Sequence, residues 1–306
     1  MKPFVSIVAL CYNHEPYIKD ALDGFLMQET SFDYEVIVHD DASTDNSQKI
    51  ILEYERRYPG IIRAICQSEN QKSKGNGLVT KIAYSAAKGK YIATCECDDF
   101  WIDPQKLQKQ VDFLEDNPDY IMCFTNGCVV DSDKRVVQDY QVVNNKKGTY
   151  TLNDVPVFAP HHTRTFRNFD WSSVPELVYE AKGMDTFICA WLMKFGNIKY
   201  FDYVSSAYRI HSGGIFSSLS KLEEKQHLID TRLILLKMLP GHKRVQNQLI
   251  DHLDGASKYI YKLIELKKFY LLFYRIFKVV DIMYKFRSLK FYMKGLLRFL
   301  YRSLMR

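Results

Sequence analysis

Between residues 4 and 116 the chain alternates short apolar runs with longer amphipathic ones four times over, and this rhythm restricts the fold more than any other feature. Residues 4–11, FVSIVALC, are continuously apolar and partly β-branched, as in a strand covered on both faces. Pro16 then opens a segment in which Ile18, Ala21, Leu22, Phe25 and Leu26 recur at helical spacing. The cycle repeats as strand 35–39 and helix 46–57, strand 61–66 and helix 78–88, strand 91–96 and helix 104–116. Such alternation predicts an α/β fold: a mostly parallel, Rossmann-like sheet with helices on both faces. Ligands of such sheets gather at the carboxyl ends of the strands.

Those ends carry an unusual load of acid. VIVHDDASTDNS finishes a strand on Asp40 and Asp41, KYIATCECDDFW finishes another on Asp98 and Asp99, and Tyr12 and Asn13 close the first strand. Neighbouring acidic strand ends repel unless a cation or a hydrogen-bond donor joins them, and a hard metal ion bridging a diphosphate would do so. Asp40 also fits a plainer role, capping the turn at 43–47 or the helix that follows.

From about residue 120 the rhythm changes to strand and loop. IMCFTNGCVV reads as a strand, 144–148 as a polar turn, 184–195 as a helix and 198–204 as a strand; YRIHSGG then leaves the sheet through two glycines. A helix over 219–238 ends at Pro240-Gly241, and the expected division is a catalytic domain at 1–218 with a helical region at 219–306.

Composition bears on class and compartment. A chain of 306 residues that is 47% hydrophobic and 25% charged has enough apolar side chains for a sizeable core. Seven cysteines, an odd number set mostly in apolar runs, fit reduced cytosolic thiols better than a disulfide frame. A zinc site from Cys95, Cys97, Cys123 and Cys128 is a second reading, weakened because strand alternation already explains Cys95 and Cys97. MKPFVSIVALCYNHE reads as a strand rather than an export signal. The net charge of +6 conceals an asymmetry: 255–306 holds 13 Lys and Arg against Glu265 and Asp281, leaving the remainder at −5. That tail interleaves aromatic and basic residues with no run long enough to span a bilayer. It suits an interfacial helix on an anionic inner leaflet or a helical hairpin packed on the domain; nucleic acid is disfavoured.

SIVALCYN, VIVHDDASTDNS, GKYIATCECDDFWIDPQKLQKQV, KGMDTFICAWL and YRIHSGG, in that order, resemble the family 2 inverting glycosyltransferases of the glycosyltransferase A fold, over roughly residues 3–218. The resemblance implies that Asp41 accepts a hydrogen bond from the imide of uracil, that Tyr12 lies against the base, and that Asn13 and Asp98 complete the nucleotide site, Asp98 at the ribose. It implies Mn²⁺ or Mg²⁺ held by Asp99 with His211, and Arg209 near the diphosphate. The family's commonest motif has Asp where this chain has Glu96, which leaves the role of Glu96 open. Asp185 becomes the general base, or else the N-cap of its helix. By position, His162, Thr163 and Arg164 supply sugar or acceptor contacts, with Trp101 and Trp171 available for stacking, although loop aromatics also serve as plain packing.

The expected protein is therefore a metal-dependent, inverting hexosyltransferase acting on a nucleotide sugar, a UDP-sugar by the Asp41 argument. The acceptor is a saccharide, lipid-linked if the tail meets a membrane, in capsule or lipopolysaccharide synthesis. Alternatives are a sugar-1-phosphate nucleotidyltransferase, disfavoured because LCYNHEP lacks a phosphate-binding glycine, and a non-catalytic nucleotide-sugar or membrane-binding module.

Overall fold

The structure, a computed structural model, describes residues 2–74, 77–143, 147–179, 184–214 and 220–253. Its elements are β1 (Val5–Cys11), α1 (Ile18–Leu26), β2 (Tyr34–Asp40), α2 (Ser47–Arg57), β3 (Ile62–Cys66), α3 (Leu78–Ser85), β4 (Tyr91–Thr94), β5 (Phe100–Trp101) and α4 (Lys106–Asp116). There follow β6 (Tyr120–Val130), β7 (Val136–Gln138), β8 (Thr149–Tyr150), β9 (Arg164–Arg167), α5 (Glu176–Tyr179), α6 (Met184–Leu192), β10 (Asn197–Arg209) and α7 (Lys221–Met238). The chain divides into two units, Met1–Ser217 and Ser218–Arg306. In the second, α7 begins with a capping box in which Ser220 and Glu223 satisfy each other's backbone N–H groups. The basic aromatic tail falls outside the described residues, and no described helix is long and apolar enough to cross a membrane.

Strand order in the first unit is β3-β2-β1-β4-β9-β6-β10-β5, with β7 beside β6 and β8 beside β10. β1 pairs in parallel with β2 and β4, β2 with β3, and β6 with β10. β9 runs antiparallel between β4 and β6. Two reversals restore the original direction, so β1, β2, β3, β4, β6 and β10 all point the same way. Their carboxyl ends share one edge of the sheet, and β9 starts at that edge. The sheet is thus more mixed than the sequence rhythm predicts. β9 lacks an apolar pattern, yet it is tolerated in the interior because its polar side chains find partners: Thr165 Oγ1 donates to Gln110 Oε1 (2.8 Å) and Arg167 Nε to Tyr120 O (2.9 Å).

The core follows the predicted faces. Ile18, Ala21, Leu22 and Phe25 of α1 are all fully buried, with Ile7 and Ala9 of β1 and Val36 and Val38 of β2 in the same apolar cluster. α1 approaches β5 so closely that a Cβ on Gly24 would stand 2.9 Å from Trp101 O. α1 begins at Ile18 rather than Pro16, because His14 O caps the turn by accepting from Tyr17 and Ile18 N–H (2.9 Å each).

Lys106 is buried among these groups, its ammonium 4.1 Å from the Trp101 ring centre and 2.7 Å from Gln110 Oε1. Burial pulls its pKa down to about 7 from 10.5. Between those values the unfolded chain binds a proton that the folded chain does not, so stability rises with pH in that window. Relative to Lys106→Met, the wild type should gain up to about 1.4 kcal/mol per pH unit between pH 7.5 and 9.5, read by denaturant unfolding. Parallel profiles for the two proteins would show that Lys106 stays charged in the fold.

Candidate active site

Three parallel strands deliver their ends to the shared edge. Asp40, the last residue of β2, is fully buried and serves the turn: Ser43 N–H and Oγ donate to its two oxygens at 3.1 and 2.5 Å. Asp41 is held differently. Gln71 N–H donates to Oδ1 (2.7 Å) and Lys72 N–H to Oδ2 (3.0 Å), which fixes the carboxylate and leaves each oxygen a second lone pair for a ligand donor. Asn13, at a left-handed φ of 56°, accepts from Thr44 N–H (2.8 Å) and ties the end of β1 to the loop after β2. Tyr12 beside it is 43% exposed.

Past β4 the strand alternation persists, since Cys95 and Cys97 N–H still bond to Val8 O and Leu10 O. It sends both thiols into the apolar core and separates them from Glu96 and Asp98. Cys128 belongs to another cluster, and among the described residues the group with metal-ligand geometry is Glu96, Asp98 and Asp99, not the four cysteines. The zinc reading therefore fails.

One ligand atom from each of these three acids lies within 4.8 Å of the others. Burial first, then the charge of Asp98, raises Glu96 to about 8 and pushes Asp99 well above the ordinary carboxylate range. Burial also works against ionised Asp98, but the hydrogen bond from His211 and the nearby His14 outweigh it and hold that carboxyl low. His211 Nε2 lies 3.1 Å and His14 Nε2 3.7 Å from the same Oδ2. Asp98 Oδ1 is buried with no hydrogen-bond partner. Crowded, partly desolvated oxygens with an orphaned acceptor among them suit a hard divalent cation, which prefers oxygen ligands and would relieve the repulsion. Glu96, the residue at which the sequence departs from the common motif, thus stands with the acids. His211, expected on the metal, rests on Asp98. Sequence reasoning missed His14, whose only signal was its place two residues after Tyr12.

Arg209 ends β10 and organises this loop. Its N–H donates to Asp99 Oδ1 and its Nε to Asp98 O (both 2.9 Å), while Nη2 reaches Asp20 Oδ2 (2.8 Å) and Nη1 reaches Ser132 O (3.2 Å). With its side chain 1% exposed, it holds the acids in place rather than presenting a guanidinium to a diphosphate.

Asp185 occupies the first turn of α6, one residue inside the helix rather than at its cap, and its side chain is 56% exposed. Arg164 Nη1 lies 3.6 Å and His161 Nε2 3.7 Å from its Oδ1. Of the two adjacent histidines, His161 and not His162 faces the acid. His162 is buried, with Nε2 donating to Gln141 Oε1 (2.9 Å) and Nδ1 against Ser206 Oγ (2.7 Å); burial drops its pKa to about 3. Thr163 is buried and donates to Pro160 O (2.8 Å). Trp101 is buried against Phe25 and Lys106, with its Nε1 donating to His162 O (2.8 Å), and Trp171 packs on Tyr84 and Phe169. His162, Thr163 and both tryptophans are thus engaged in packing and internal hydrogen bonds.

The family model described as "Glycosyl transferase family 2" matches residues 6–171. An uncharacterised protein of Mycobacterium tuberculosis is 49% identical over 120 residues, 39% of this chain and 34% of that protein. The putative teichuronic acid biosynthesis glycosyltransferase TuaG of Bacillus subtilis is 34% identical over 113 residues, 37% of this chain and 42% of its own length. The chain thus spans well under two thirds of these relatives. Among solved structures, S. aureus TarS 1–349 in complex with UDP-GlcNAc superposes with a TM-score of 0.62 at 18% identity, over 92% of this chain and 80% of that one. The mannosyltransferase PcManGT from Pyrobaculum calidifontis, in complex with GDP-Man and Mn²⁺, gives 0.55 at 15% identity, over 99% and 88%. At such identities the two structures share the fold.

Proposed function

Because the chain belongs to glycosyl transferase family 2, we propose that it moves one sugar from a UDP-sugar to a saccharide hydroxyl, inverting the anomeric carbon and using a divalent cation. The observation that carries this reading is the meeting, at one edge of the sheet, of three crowded carboxylates with two histidines on one of them. Asp41 supports UDP, since a carboxylate only accepts and the uracil imide donates. Guanine also offers donors, and the complex of PcManGT with GDP-Man makes a GDP-sugar the second reading. The likeness to TuaG, a putative teichuronic acid biosynthesis glycosyltransferase, supports an acceptor in cell-surface polysaccharide synthesis. The basic aromatic sequence after residue 257 supports a lipid-linked one.

In this mechanism Tyr12 and Asp41 seat the base, and Asp98 meets the ribose. Glu96, Asp98 and Asp99 would hold Mn²⁺ or Mg²⁺, which when bound offsets the charge of the departing nucleoside diphosphate. Arg209 keeps Asp98 and Asp99 aimed. Asp185 accepts the proton of the acceptor hydroxyl as its oxygen attacks the anomeric carbon, and a single displacement needs no covalent intermediate.

The test is a screen of UDP-, GDP-, CDP- and ADP-sugars, read as nucleoside diphosphate release with Mn²⁺, Mg²⁺ or excess chelator, on soluble and lipid-linked saccharides. A UDP-sugar should be consumed in the presence of cation and spared by chelator. Pyrophosphate release from UTP and a sugar 1-phosphate would instead identify a nucleotidyltransferase, and full transfer in chelator would remove the cation.

A further inference from the structure

We propose that Arg164 is a positioning residue that holds Asp185 in its working orientation, an inference that rests on Asp185 being the general base. Three observations carry it. Arg164 opens β9, where register with Phe124, and of Thr165 with Ala93, fixes its backbone in the sheet. Its guanidinium is buried, with Nε donating to Ala159 O (2.8 Å) and Nη2 to the same carbonyl, so two of its three nitrogens are anchored. The third, Nη1, donates to Asp185 O (3.2 Å) and stands 3.6 Å from Asp185 Oδ1. One planar fork therefore joins the sheet to both the main chain and the carboxylate of the first turn of α6.

The fork narrows the orientations open to a half-exposed aspartate, and a misplaced base loses much of its rate. Arginine supplies what lysine cannot, because its rigid fork serves two acceptors in different directions at once. Its charge also favours the ionised carboxylate, the form able to accept a proton. Among the described residues, His161 (Nε2 3.7 Å away), Tyr84, Cys189 and Glu96 also act on Asp185 from the surrounding elements. Tyr84 in turn hydrogen-bonds to His161 Nε2 (3.2 Å). Arg164 is the cation among them whose position is locked on three sides.

The experiment compares wild type, Arg164→Lys, Arg164→Met, Asp185→Asn and the Arg164→Lys, Asp185→Asn double variant. Turnover is read as UDP release from UDP-N-acetylglucosamine with Mn²⁺, and folding by UDP affinity. The Asp185 carboxyl is followed by carbon-13 NMR, its resonance assigned by its loss in Asp185→Asn. Arg164→Lys should lower kcat about 10- to 100-fold with KM for donor and UDP affinity within about twofold, and should cost nothing further in the Asp185→Asn background. Arg164→Met should in addition move the titration of the Asp185 carboxyl upward. Should Arg164→Met not fold, the lysine variant decides by kcat; should this donor not turn over, the titration of Arg164→Met decides. Asp185→Asn nearly dead beside Arg164→Lys at wild-type kcat, or an unmoved titration in Arg164→Met, would overturn this inference alone. A fully active Asp185→Asn would overturn the base reading and this inference with it.

Discussion

Asp99→Asn should abolish cation-stimulated turnover, with a loss on the order of 10² to 10³ in kcat, while making the metal-free protein more stable. The two effects have one origin. Burial and the charge of Asp98 raise Asp99 well above the range of an unfolded aspartate, so the folded chain binds a proton that the unfolded chain releases as pH rises from about 4. Over that interval the native state holds more protons, and stability falls with rising pH. Asparagine removes this penalty and keeps an oxygen for the Arg209 N–H, which donates to Asp99 Oδ1 at 2.9 Å. In chelator, melting of the variant should exceed that of wild type at pH 7.5, and the gap should close below about pH 4. With saturating Mn²⁺ and UDP the order should reverse, because ligand that binds only the native state stabilises it by mass action and the variant has lost a ligand oxygen. The rate loss corresponds to about 3–4 kcal/mol of transition-state stabilisation, the usual scale for removing one electrostatic element from such a site. Equal melting of the two proteins in chelator, with unchanged calorimetric Mn²⁺ affinity in the presence of UDP, would remove Asp99 from the cation site.

How much of this was legible beforehand depends on which interactions decide each segment. β1 to β4 and the helices between them could be read because burial on both faces demands unbroken apolar runs, and sequence shows those directly. The acids at the ends of β2 and β4 followed from the same reading. β9 could not be read, since TRTF looks like loop until Gln110 supplies a partner for Thr165 across the fold. β10 was expected to stop at residue 204, yet it continues to Arg209 because Thr125 and Ser205 hydroxyls satisfy each other at 2.6 Å in the interior. The choice between His161 and His162 was equally hidden. A three-residue 3₁₀ turn, His161–Thr163, sets the phase in which one ring faces Asp185 and the other enters the core. Such phases depend on partners distant in sequence, and no local periodicity encodes them.

Asp185→Asn should leave a folded protein that binds UDP normally and transfers sugar 10²- to 10⁴-fold more slowly, about the contribution of a positioned general base. The structure makes this substitution decisive. Asp185 lies within the first turn of α6, where its charge is favoured by the helix N-terminus and by Arg164. With the side chain more than half exposed, solvent screens both, and the expected stability loss is no more than about 1 kcal/mol. The amide retains the carboxylate's shape and an oxygen toward Arg164 Nη1, so the first turn should stay where it is. What the amide cannot do is take a proton from the attacking hydroxyl. Transfer to a competent acceptor, measured beside UDP calorimetry and melting, separates the roles: a stable, donor-binding, nearly inert variant assigns the proton transfer to Asp185. A variant with near-normal transfer would direct the search to Glu96, whose pKa of about 8 places it within reach of neutral-pH proton transfer. Glu176 is a poorer substitute, since Lys81 Nζ already contacts both of its carboxylate oxygens at 2.6 and 2.7 Å. Loss of rate on Glu96→Gln without loss of Mn²⁺ affinity would then identify Glu96 as the base, whereas loss of both would return it to the cation site.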